Sequence, residues 1–115
     1  NIITDLLRNE MGFEGVVITD DLTMGAISES YSFGDAAVLS INAGCDILSI
    51  CFGEDNVKQA VKAIKEAVEN GAITEERIDE SVRRILKLKE DYNVTSEGVE
   101  MPDIDELNSK TAKFQ

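Results

Sequence analysis

Gly15-Val16-Val17-Ile18-Thr19-Asp20-Asp21-Leu22-Thr23-Met24-Gly25-Ala26 is the stretch on which the reading of this chain turns. Val16, Val17 and Ile18 form an apolar run without alternation, the pattern of a parallel strand buried on both faces. The run stops at Thr19, Asp20 and Asp21. Carboxylates are poor core residues, but in α/β folds ligands gather at the carboxyl ends of strands, so the pair stands where chemistry is done. Alternation places Val16, Ile18 and Asp20 on one face and Val17, Thr19 and Asp21 on the other. The two acids therefore diverge: one is available to react and the other has a supporting task. The alternative is that both are loop-capping acids bonded to backbone N–H groups.

Upstream of the stretch, Ile2, Ile3, Leu6, Leu7 and Met11 share one face of an amphipathic helix that Gly12 closes. Downstream, residues 22–31 read as an irregular loop on the ligand side. Ser32 and Asp35 resemble a capping box and open a helix that runs to Ala43 and stops at Gly44. Residues 46–51, Asp-Ile-Leu-Ser-Ile-Cys, form a second apolar strand, about 30 residues after the first, the usual size of a βαβ unit. Asp55 or Asn56 caps the next helix, with Val57, Ala60, Val61, Ile64 and Val68 as its stripe and Gly71 as its end. Thr74 caps another, with Glu75 and Glu76 in the first turn complementing the helix dipole. From Asn93 periodicity weakens: residues 94–115 read as a tail or linker, with a boundary at Met101-Pro102-Asp103 and a short helix over 104–113.

Composition sets outer bounds. At 115 residues the chain has the length of one ordinary domain, and 43% hydrophobic with 30% charged residues is the balance of a globular protein. A net charge of -12 disfavours nucleic acid and anionic membrane surfaces, both of which call for clustered Lys and Arg. No apolar run approaches the roughly 18 residues that cross a bilayer. The chain opens at Asn1 with neither an initiator Met nor a signal-peptide pattern, which reads as a piece of a protein or a processed product. Cys45 and Cys51 bracket the second strand, roughly 20 Å apart if it is extended. That is beyond disulfide reach, and two buried free thiols are expected.

Two apolar parallel strands cannot be covered on both faces and both edges by the helices present. The order helix, strand, helix, strand, helix, helix reads as a slice of a larger α/β domain; a complete small domain built on its helices is the alternative.

The run Leu7-Arg8-Asn9-Glu10-Met11-Gly12-Phe13-Glu14-Gly15-Val16-Val17-Ile18-Thr19-Asp20-Asp21-Leu22-Thr23-Met24-Gly25-Ala26 closely resembles the nucleophile segment of glycoside hydrolase family 3. Asp-Asp-Leu-x-Met is similar to its β-N-acetylglucosaminidase branch. Ala36-Ala37 to Ala43-Gly44-Cys45-Asp46 and the run from Arg77-Ile78-Asp79 through Arg83-Arg84-Ile85-Leu86 to Lys89 resemble further segments of the family, in the right order. The resemblance covers residues 1–93. It implies an α/β fold, the last two β/α units of a (β/α)8 barrel, incomplete as an isolated chain. It also implies a retaining β-N-acetylhexosaminidase acting on terminal β-linked N-acetylglucosamine, with Asp20 as catalytic nucleophile, Asp21 holding the turn and Met24 lining the sugar pocket. Because Asp20 and Asp21 diverge, they cannot be the two carboxyls that flank a glycosidic bond across roughly 5 Å or more. Thr19 stands where the family usually has Ser, and a hydroxyl is kept. The larger departure is that this chain has no histidine, whereas that branch carries its acid/base on a His and grips the sugar with Lys-His motifs, all upstream. The isolated chain is therefore expected to be inactive, with a carbohydrate as the parent's partner and no cofactor or metal.

Two other classes remain beside this one. A small acidic signalling or Mg²⁺-binding domain would use the acid pair as cation ligands, although no third acid or strand-end Lys accompanies it. An inactive fragment would pair its exposed edges and apolar faces with other copies, as a dimer or higher oligomer, or repack as a helix-rich monomer.

Overall fold

The computed structural model describes residues 1–98 and 103–113, and Met101 and Pro102 of the expected boundary lie outside them. An N-terminal helix, Ile2–Glu10, starts at Asn1, whose side-chain oxygen accepts from the N–H groups of Ile3 and Thr4. It is wound as a π-helix: the Met11 N–H reaches back five residues to the Leu6 carbonyl. Strand β1 is Ile18–Asp21 and strand β2 is Ile47–Ser49, paired in parallel. Pairing starts where the Val17 carbonyl accepts from both Asp46 and Ile47, so the strand begins later than the apolar run suggests and the two acids are its last residues.

Between the strands, α1, a single turn at Gly25–Ser28, replaces part of the expected irregular loop. Helix α2, Phe33–Ala43, has the expected cap: the Asp35 N–H donates to Ser32 Oγ, which donates in turn to the Asp35 carboxylate. Helix α3 spans Glu54–Glu69 and α4 Glu75–Asp91, the latter capped by Thr74. The cap of α3 is Gly53 rather than Asp55 or Asn56. With φ at +82° Gly53 turns the chain early, and the Asn56 amide donates to the Phe52 carbonyl instead. A last helix, α5, covers Ile104–Ala112.

The architecture is thus α/β, rich in helix, on a two-stranded sheet. Its core is the seam where α2 meets α3: Ile41, Ala67 and Ile73 are buried, with Val38, Leu48, Ile64, Val68 and Ile78 packed around them. Gly34 sets the distance between these helices, because a Cβ there would lie 2.8 Å from the Ala63 methyl. Leu48 brings one face of the sheet to this core. Ile18 and Ile47 are register partners on the other face, and Ile18 is 58% exposed. The expectation of strands buried on both sides therefore fails on the Ile18 face: a second apolar layer is missing there among the described residues. Cys45 is buried and Cys51, beyond the end of β2, is exposed, so only one of the two free thiols is a core residue. Burial pushes the Cys45 thiol up. No helix among the described residues is long and apolar enough to cross a membrane.

Candidate functional site

The carboxyl end of β1 divides its two acids between different tasks. Asp21 is half-buried and fully engaged. Its Oδ1 accepts from the N–H of Thr23 and from the N–H of Cys51, each at 3.0 Å, and the Thr23 hydroxyl donates to Oδ2. The bond to Cys51 ties the loop after β1 to the loop after β2. Hydrogen bonds to the charged form, from the Thr23 hydroxyl first and then the Thr23 and Cys51 amides, lower this carboxyl from the usual 3.8 to about 2.

Asp20 is exposed. Its Oδ1 accepts from the N–H of Asp21 at 2.7 Å, and no described residue bonds Oδ2. Thr19, Asp20, Asp21, Leu22, Met24 and Ile27 line a cleft of about 370 Å³ together with Ser40 of α2. Met24, the residue before α1, is 51% exposed on the rim of this cleft. The strand end thus brings together all three residues singled out in the sequence, with one Asp20 oxygen that no described residue bonds. Wider grooves of about 520 and 560 Å³ lie along α3 and between α2 and α3, away from the strand ends. Among the described residues no group of three or more Asp, Glu, Cys or His converges as metal ligands would.

A second polar cluster escaped the reading of the sequence. Asp46, the residue before β2, has a fully buried side chain, at the end of the sheet opposite Asp20. Arg8 of the N-terminal helix donates to Oδ2 at 2.6 Å, as does the Val17 N–H at 3.0 Å, while Ser81 and Arg84 of α4 donate to Oδ1 at 2.7 and 3.0 Å. Arg77 reaches the same carboxylate at 3.7 Å and donates to the carbonyls of Ile41 and Cys45. Burial alone would raise the Asp46 carboxyl. The bonds from Ser81, Val17 and Arg84 and the Arg8 charge outweigh it, and the carboxyl is held below its usual value. A signal was available: an acid that opens an apolar strand must find cations, and Arg8, Arg77 and Arg84 all stand in the quoted motifs. This hub stitches helix, strand and helix together and faces no cleft with the Asp20 end, which makes it a part of the scaffold.

The sequence and fold have known relatives. Residues 1–88 match the profile of the Glycosyl hydrolase family 3 N terminal domain. The chain is 35% identical over 94 residues to beta-hexosaminidase A of Pseudoalteromonas piscicida, covering 76% of this chain and 16% of that protein. It is 35% identical over 88 residues to a beta-N-acetylglucosaminidase/beta-glucosidase of Cellulomonas fimi, covering 76% and 15%. A solved glycoside hydrolase family 3 beta-N-acetylglucosaminidase from Paenibacillus sp. str. FPU-7 superposes with a TM-score of 0.80 at 42% identity, over 86% of this chain and 19% of that one. The chain therefore spans less than a fifth of the length of these relatives. With residues 1–88 matched to that family's N-terminal domain, most of the length described, the chain belongs to glycosyl hydrolase family 3.

Proposed function

We propose that this chain is the nucleophile-bearing part of a retaining β-N-acetylhexosaminidase that removes terminal β-linked N-acetylglucosamine. β1 and β2 are then the seventh and eighth strands of a (β/α)8 barrel, and the bare Ile18 face is turned toward the interior that other strands complete. The observation that carries the reading is the division of labour at the strand end: Asp21 is consumed by the loop, and Asp20, beside a cleft, has an oxygen that no described residue bonds. The Asp20 carboxylate attacks the anomeric carbon as the glycosidic bond breaks, and the leaving oxygen takes a proton from an acid outside these 115 residues. Water then attacks the glycosyl–Asp20 ester and restores the carboxylate with net retention. Met24 supplies an apolar wall against the sugar ring.

The test is Asp20→Ala in the complete open reading frame that encodes this chain, assayed on an aryl β-N-acetylglucosaminide. Turnover is expected to fall by about a thousandfold or more. Undiminished turnover overturns the assignment.

A further inference from the structure

We infer that Thr19 is a positioning residue for Asp20: its hydroxyl takes a place in the β1–β2 ladder and holds a bulge that turns the nucleophile outward. The inference rests on Asp20 being that nucleophile. The register carries it. Ile18 pairs with Ile47 and Asp21 with Ser49, so β1 takes three steps where β2 takes two. One extra residue has been inserted, and such bulges re-aim a side chain at the cost of one ladder position.

The hydrogen bonds show where the extra residue goes. Ladder contact begins regularly, with the Ile47 N–H on the Val17 carbonyl. The Ser49 N–H then donates to Thr19 Oγ1 at 2.9 Å, a side-chain acceptor on the pairing edge. Beyond it the Ser49 carbonyl accepts from Leu22 at 3.0 Å, one residue later than an even register would give. The Asp21 N–H, displaced from that bond, turns to Asp20 Oδ1 at 2.7 Å. One atom therefore links the bulge to the nucleophile. Thr19 Oγ1 anchors the extra residue, the displaced amide grips one Asp20 oxygen, and no described residue bonds the other, on a side chain that lines the cleft. A nucleophile must sit within about 3.5 Å of the carbon it attacks, and a misplacement of about 1 Å can cost on the order of a hundredfold in rate.

The experiment compares Thr19→Val, which keeps the shape and removes the acceptor, Thr19→Ala, which removes both, and Thr19→Ser, which keeps the acceptor. All three are made in the complete reading frame, alongside Asp20→Asn. Rates are normalised to active sites, so that a smaller folded fraction does not count as slower chemistry. For Thr19→Val and Thr19→Ala we expect kcat to fall about 10- to 100-fold with KM within about threefold. Amide exchange at Ser49 should be faster in both. Thr19→Ser should keep kcat within about threefold. Wild-type kcat in either folded variant lacking the hydroxyl overturns the inference, as does loss of kcat in Thr19→Ser equal to that in Thr19→Val. Full turnover by Asp20→Asn would instead overturn the nucleophile reading itself, so the two failures are distinct.

Discussion

At the scale of single residues, three aspartates with the same side chain have been given three different lives by their surroundings. Asp21 is charge-stabilised by N–H and O–H donors, Asp46 by Ser81, the Val17 N–H and guanidinium groups, and Asp20 has one oxygen that no described residue bonds. For Asp21 the folded value is depressed, so its tether between the two loops is complete above about 3.8 and is lost as pH falls through about 2. Carboxyl chemical shifts followed by NMR should give that midpoint, and a midpoint near 3.8 would contradict the bonding described. The same sign holds for Asp46: its contribution is complete above the ordinary carboxylate value and falls away only below it. Asp46→Asn leaves the guanidinium groups of Arg8, Arg77 and Arg84 facing a neutral amide at a fully buried site. The expected loss is about 3–5 kcal/mol in urea unfolding at neutral pH. A loss below about 1 kcal/mol would show that the cluster does not hold the fold together.

At the scale of elements, close approach and register matter more than propensity. Helices α2 and α3 meet at Gly34, where an added methyl would stand 2.8 Å from Ala63. Gly34→Ala is expected to destabilise by about 1–3 kcal/mol, and Ala63→Gly in the same chain to recover part of that by relieving the clash. Denaturation midpoints of the wild type and the two variants check it; a neutral Gly34→Ala would mean that the helices can part without cost. These elements also show what a sequence displays and what it withholds. Ser32 and Thr74 announced their helices because a cap needs only local partners, the N–H groups of Asp35 and Arg77 three residues on. The cap at Gly53 was hidden because Asp55 and Asn56 are equally good local candidates and a positive φ leaves no mark beyond the glycine itself. The bulge in β1 was hidden for a deeper reason. Its acceptor, Thr19, answers to Ser49, thirty residues away, and alternation counts residues as though each advanced the ladder. The candidate site was legible in residue identities, since Asp20, Asp21 and Met24 border one cleft. The means of holding them was not.

At the scale of the whole molecule, the Ile18 face of the sheet carries no second apolar layer among the described residues. Ile18, Phe52, Leu86 and Tyr92 are exposed, far more apolar surface than so acidic a chain would leave to water by choice. The apolar character of the strands was readable, but whether a second layer covers them depends on atoms outside the pattern, and that is why Ile18 was misplaced in the core. Two outcomes follow for the isolated 115 residues. Light scattering should give a mass above that of one chain, as the bare faces pair; a strictly monomeric species with both strands protected from hydrogen exchange would contradict this. Turnover of an aryl β-N-acetylglucosaminide should be absent, because a chain without histidine has no such group to protonate the leaving oxygen. Activity in the isolated chain would place the proton donor among its own carboxyls and require a different mechanism.

The proposed covalent bond between Asp20 and the sugar can be trapped. The protein from the complete reading frame is treated with a fluorinated N-acetylglucosaminyl fluoride whose glycosyl–enzyme ester hydrolyses slowly, then digested and sequenced by mass spectrometry. The sugar mass is expected on the peptide at Asp20. A label on Asp21 or on a carboxylate elsewhere in the protein would contradict it.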